Sequence, residues 1–179
     1  MSVPGLLMGP GESSEPYAQT LRDIGTEAKI LSPDADLPED VGGLLVVGES
    51  VFGALAETPP PALQMAVEAD IPVLGIGWGM HALNVALGGQ PPVPVEGHGS
   101  PPQNGITEGE TTKHPLFMAP GGKVGYTIAG SGWVTVPSAH THGLLPAQVA
   151  DGLLSSVYAE DRVVEAIEMP GREWLIGVQ

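Results

Sequence analysis

"IPVLGIGWGMHALNVALGG" (residues 71–89) decides the fold of this chain. The apolar run Ile71 to Gly77, with Pro72 near its start, has the length and character of a central strand. Met80, Leu83, Ala86 and Leu87 then recur at helical spacing, and Gly88-Gly89 ends the helix. The join is a sharp strand–turn–helix elbow. Such elbows usually present a nucleophile at the bend, yet here the bend is glycine, Gly77.

Working outward, similar units flank the elbow. Val3 to Gly9 reads as a first strand, followed by a helix entered through Ser13 or Ser14, Glu15 and Pro16, with Tyr17, Leu21 and Ile24 as its apolar stripe. Ala28 to Leu31 is a short second strand. Gly43 to Glu49 is continuously apolar, as in a parallel strand covered on both faces. "PPPALQMAVEAD" supplies a helix before the strand at 71–77. Alternating strands and helices at this spacing predict an α/β fold, a three-layer, doubly wound, mostly parallel sheet. Residues 1–179 are expected to form a single domain with a loop-rich insert at about 90–120, where proline, glycine and polar residues dominate. "VGYTIAG", "WVTVPSAHTHG", "LLSSVYAED", "VVEAIEMPG" and "EWLIGVQ" read as successive short strands.

Composition narrows the function classes. Six basic residues against 21 acidic ones give a net charge of −15, which repels polyanions and leaves too few cations for phosphate contacts. Nucleic acid and membrane are therefore not expected partners. With no cysteine, disulfides, thiolate metal sites and a cysteine nucleophile are excluded. The beginning of the chain carries no signal-peptide pattern and no apolar run reaches bilayer length, so the expected location is the cytoplasm. "GPGES" from Gly9 lacks the lysine of a phosphate-binding loop and the full glycine pattern of a dinucleotide site.

The elbow segment resembles that of class I glutamine amidotransferases and their gamma-glutamyl hydrolase (peptidase C26-like) relatives: proline, apolar strand, Gly-Ile-Cys-x-Gly-x-Gln, apolar helix, Gly-Gly. Further pieces follow in family order. "VGGLLVVGE" resembles the strand leading into the oxyanion loop, "KHPLF" a His-Pro-Leu-Phe turn, "VPSAHTHGL" the segment with a substrate-side histidine, and "YAEDRVVEAIEMPGREWLIGVQ" the closing hairpin. The resemblance implies the class I amidotransferase, flavodoxin-like fold. It also implies a chemistry, in which a thiol attacks the side-chain amide of glutamine, forms a thioester and releases ammonia, assisted by a histidine and a glutamate in a His-Pro-Glu sequence directly after "GVQ".

The chain departs from that pattern at its chemical centre. Gly77 stands where the cysteine would be, and no Ser, Thr or Cys lies between Ile71 and Gln90. His81 replaces the family's glutamine. Glu49 occupies the oxyanion loop, where a carboxylate would repel an oxyanion, and His-Pro-Glu would begin after Gln179. The expectation is an amidotransferase-like protein without its nucleophile, a binding or partner subunit. Gly48, Glu49, Gly77, Trp78, His81 and His140 form the remnant pocket, and Trp78 either walls the old oxyanion hole or packs under a loop. A glutamine-like or gamma-glutamyl small molecule, a protein partner or a second copy of the chain are the candidate occupants. The alternative is an amidotransferase or gamma-glutamyl hydrolase whose cysteine and terminal His-Glu were lost by mutation or truncation.

No cofactor and no metal are expected. Ser138, His140 and His142 alternate and would share one face of a strand, but no third ligand accompanies the two histidines at a convincing spacing. His98 reads as a loop residue and His114 as a turn-former.

Overall fold

A computed structural model describes residues 2–9, 13–48, 58–99 and 112–179. Glu49 of the expected pocket and part of "GPGES" fall outside the described residues. Strands β1 (Val3–Met8), β2 (Lys29–Leu31), β3 (Val41–Gly48) and β4 (Val73–Gly77) alternate with helices α1 (Glu15–Asp23), α2 (Pro61–Glu68) and α3 (Trp78–Ala86). After β5 (Val93–Pro94) come β6 (Thr112–Met118), α4 (Lys123–Thr127), β7 (Gly132–Ser138), β8 (His142–Gly143), β9 (Leu154–Ala159), β10 (Val164–Glu168) and β11 (Leu175–Val178).

The main sheet has the order β2-β1-β3-β4-β11-β10-β9-β6-β7. It is parallel from β2 to β11 and antiparallel from β11 to β7. Side chains of successive strand residues face opposite ways, so β1 serves two cores. Leu6 joins Val47 and Ala18 of α1 on one face, whereas Leu7 joins Leu44 and Val46 beneath α2 and α3 on the other. This is the expected three-layer architecture. A third cluster, with Leu116, Met118, Val157 and Ala166 at its centre and Val124 of α4 against it, belongs to the antiparallel half.

Two local expectations change. "VGYTIAG" is not a strand: its β-branched residues sit in α4, because the Glu168 carboxylate accepts the Lys123 N–H at 2.8 Å and caps the first turn. "KHPLF" is not a turn but part of β6, where His114 pairs with Val136 and Pro115 with Thr135. The proline fits because β9 joins β6 only from Leu116 onward, so no partner on that side needs its missing N–H. In α1 the buried residue is Ala18, while Ile24 caps the helix and is 73% exposed.

Candidate functional site

The elbow has the expected shape. Gly77 ends β4 beside Gly48 of β3, and its backbone (φ 57°, ψ −116°) lies in the left-handed half of conformational space as the chain enters α3. Residues with a Cβ reach that region only under strain, whereas glycine does so freely. The helix is also drawn very close to the sheet. A Cβ on Gly75 would lie 2.5 Å from the Gly79 carbonyl oxygen, and one on Gly79 would collide with the Val46 carbonyl. These glycines set the depth of α3, whose residues from Trp78 to Asn84 are all buried.

Buried polar groups tie the helix to the rest of the molecule. Asn84 Nδ2 donates to the carbonyls of Gln90 and Gln148, each at 2.9 Å, and its Oδ1 accepts the Ala150 N–H at 2.9 Å. His81 Nε2 donates to Gln179 Oε1 at 2.7 Å. Val178 pairs with Ile76, so Gln179 follows onto the level of Gly77. Burial pushes the pKa of His81 down to about 4, only partly offset by its bond to Gln179, so the ring is neutral near neutrality. Trp78 is 3% exposed and packs against Gly9 and Gly48, with no hydrogen-bond partner for its indole N–H. Trp78 also lines a cavity of about 480 Å³ together with Gly9, Pro33 and Pro60.

His140 lies elsewhere. Together with Glu165 and Gln179 it edges a cavity of about 410 Å³ in the antiparallel half, whose walls include Leu116, Met118, Val134 and Val157. Gln179 therefore touches both regions, bonding His81 and lining the cavity. Gly48, Gly77, Trp78 and His81 cluster at the ends of β3 and β4, and His140 faces the other region across β11 and β10.

At the end of that cavity the fold gathers residues from four segments: His98 after β5, His114 on β6, His140 between β7 and β8, and Glu165 on β10. Ser138 is buried at the end of β7, where its hydroxyl donates to the His98 carbonyl at 2.8 Å. His142 does not join the cluster with its ring, which meets the Thr141 hydroxyl, while its carbonyl accepts from His140 Nδ1 at 3.0 Å. The expected alternation of Ser138, His140 and His142 on one strand face is absent, because the chain leaves β7 at Ser138 and re-enters β8 at His142.

Charge is strongly coupled within the cluster. For Glu165, burial would raise the pKa, but the imidazoles of His140 and His98 beside it, aided by His114, outweigh it and hold it at about 2. His98 shifts upward, chiefly through Glu165, against desolvation and with help from Asp161. The Asp161 carboxyl falls below its usual range, since its bond from His98 and its local backbone bonds overcome partial burial. The sequence alone singles out neither Glu165 nor the meeting of His98, a loop residue, with His114. The available signal was that the chain has five histidines, and four of them, all but His98, lie in the segments that the family resemblance aligns.

A sequence profile of the Peptidase C26 family matches residues 57–179, about two thirds of the chain, and this part holds both the elbow and the histidine cluster. This chain belongs to that family. A Mycobacterium tuberculosis (strain ATCC 25618 / H37Rv) protein, provisionally named as a glutamine amidotransferase, is 31% identical over 191 aligned positions covering 91% of this chain and 59% of the relative. The chain thus spans about three fifths of that relative's length. Among solved structures, a Thermoplasma acidophilum protein provisionally named as part of a GMP synthase superposes with a TM-score of 0.71 at 15% identity, over 100% of this chain and 83% of the other. A glutamine amidotransferase from Methylobacillus flagellatus gives 0.69 at 15% identity, over 99% and 68%. Another from Thermotoga maritima gives 0.68 at 13% identity, over 100% and 75%. The glutamine amidotransferase-like family and the class I fold expected from the elbow are therefore those of this chain. Among the described residues no helix is long and apolar enough to cross a membrane.

Proposed function

We propose that this chain is a glutamine amidotransferase-like binding or partner subunit that keeps the family's scaffold without its thioester chemistry. The observation that carries the reading is Gly77: the bend holds the strained backbone geometry of a nucleophile elbow and presents no side chain. With no cysteine anywhere in the chain, no thiolate exists to attack a carboxamide. His81, one turn into the helix, is neutral and engaged with Gln179, so it is a pocket-lining group rather than a base awaiting a thiol.

The ligand-binding form of this reading assigns Gly48, Gly77, Trp78 and His81, with Glu49 next in sequence after Gly48, to a remnant pocket, and joins His140 to it through Gln179. A glutamine-like or gamma-glutamyl compound is the ligand class, its carboxamide suited to neutral donors and acceptors such as Gln179. A protein partner or second copy over the same face is the other form. Thermal-shift titration with glutamine and gamma-glutamyl compounds tests the first form. A saturable rise in Tm supports it, and an unmoved transition across the series removes it, leaving the partner form for measurement by solution mass.

A further inference from the structure

The cluster at the end of the cavity contains a hydrogen-bonding contradiction. His140 Nδ1 faces the His142 carbonyl at 3.0 Å, and a carbonyl only accepts, so the proton of a neutral ring sits on Nδ1. His98 Nε2 faces the Asp161 carboxylate at 2.9 Å, which places its proton on Nε2. The nitrogens turned inward, His98 Nδ1 and His140 Nε2, then present lone pairs to each other at 3.1 Å. Glu165 Oε1, a further acceptor, lies 3.3 Å from His98 Nδ1, 3.5 Å from His140 Nε2 and 3.9 Å from His114 Nε2. Both ring nitrogens of His114, and Glu165 Oε1, are buried without a hydrogen-bond partner. Acceptors converging in a buried space repel unless a proton or a metal cation lies among them.

We infer that His98 Nδ1, His114 Nε2, His140 Nε2 and Glu165 Oε1 bind one divalent transition-metal ion, zinc foremost, at the polar end of the cavity. The geometry is that of a four-ligand site. Bond lengths of about 2.0–2.2 Å at tetrahedral angles require ligand atoms about 3.3–3.6 Å apart. Ligand atoms of the four residues all lie within 4.8 Å of one another, and three of the pairs are between 3.1 and 3.5 Å. Three imidazoles and one carboxylate suit zinc or a neighbouring transition ion, whereas calcium and magnesium prefer oxygen ligands.

The outer partners are those a metal-bound imidazole uses. A carboxylate holds the far nitrogen of His98 and a backbone carbonyl that of His140, fixing tautomer and ring orientation. The backbone is pinned as well: the His98 carbonyl accepts from the His140 N–H at 2.9 Å and the Ser138 hydroxyl at 2.8 Å. The ligands are thus positioned before an ion arrives. A proton on His98 Nδ1 would relieve that pair and face Glu165 Oε1 at 3.3 Å, but would leave both buried nitrogens of His114 unpartnered. This is the competing account.

The test uses the whole chain, stripped with chelator, desalted and titrated with Zn²⁺ alone. Calorimetry and elemental analysis are expected to give one equivalent, with a rise in Tm and slowed hydrogen exchange in β6, β7 and β10. Asp161→Asn, which removes an outer partner only, is expected to weaken Zn²⁺ binding about 10–100-fold. His114→Ala and Glu165→Gln should lose more, and His142→Ala, whose ring is not a ligand, should bind as the unaltered chain does. Co²⁺ in place of Zn²⁺ should show the intense visible absorption of a tetrahedral centre. Failure of the unaltered, folded chain to take up stoichiometric Zn²⁺ overturns the inference without recourse to any variant. So does uptake that is undiminished in both ligand variants. The thermal-shift result with glutamine-like compounds bears on neither outcome.

Discussion

At the end of β4 the backbone bends through φ 57° and offers no functional group, and two strands away, on β10, a carboxylate meets three imidazoles beside a cavity. One region has the shape of a nucleophile elbow with glycine at its bend; the other gathers titratable side chains in a place where the elbow's own logic does not look. They differ in how position is achieved. The elbow is made by consecutive residues, with glycines letting α3 settle onto β3 and β4. The histidine cluster is made by β6, the β7–β8 connection, β10 and the loop after β5 coming together, and it exists only once the antiparallel half has formed. The elbow's shape therefore rests on local backbone and its glycines, while the cluster's integrity depends on the tertiary fold.

The largest expected effect breaks the first region. Gly79→Ala drives a methyl into the Val46 carbonyl, and backbone cannot yield as a side-chain tip can. A loss of about 3 kcal/mol or more is expected by chemical denaturation, at or beyond the upper end of overpacking costs.

Nearly as large is the pH response of His81. Its folded pKa of about 4 lies below the ordinary 6.5, so the unfolded chain binds more protons between these values. Stability contributed by keeping the ring neutral is complete above pH 6.5 and is lost as pH falls toward 4, by about 3 kcal/mol. His81→Gln should flatten this part of the stability–pH curve; a curve of unchanged slope would contradict the assignment. Glu165 acts in a lower window. Its depressed pKa contributes stability above 4.5 that is lost as pH falls toward about 2, so the two residues separate along the pH axis.

Smaller still is Gly77→Ala. Placing a Cβ at φ 57° is expected to cost about 1–3 kcal/mol, measured as a lowered denaturation midpoint with unchanged slope. An unchanged midpoint would show that the bend is not strained for other residues. The smallest effect sharpens the second region: His142→Ala should alter stability by less than about 0.5 kcal/mol, because its contact with His140 runs through the backbone.

These regions also differ in how far the sequence discloses them. The strand–glycine–helix pattern is local, so Gly77, the burial of Met80 and Leu83, and the parallel half of the sheet were legible from periodicity and glycine placement alone. In "VGYTIAG" the β-branched residues misled, because the capping carboxylate, Glu168, lies far away in sequence. His98 and His114 looked ordinary because nothing in their neighbours announces Glu165 or Asp161. His140 and His142 looked paired by spacing, yet the chain turns between them and only the first ring enters the cluster. Short-range pattern discloses backbone geometry well; it discloses convergent side chains only when they share one element.

Ammonia release from glutamine, followed together with the intact mass of the protein, tests the central claim most directly. The account predicts no ammonia above the buffer background and an unshifted mass, since the bend at Gly77 has no atom to acylate. Ammonia produced at an enzymatic rate, or a covalent glutamyl adduct on the chain, would contradict it.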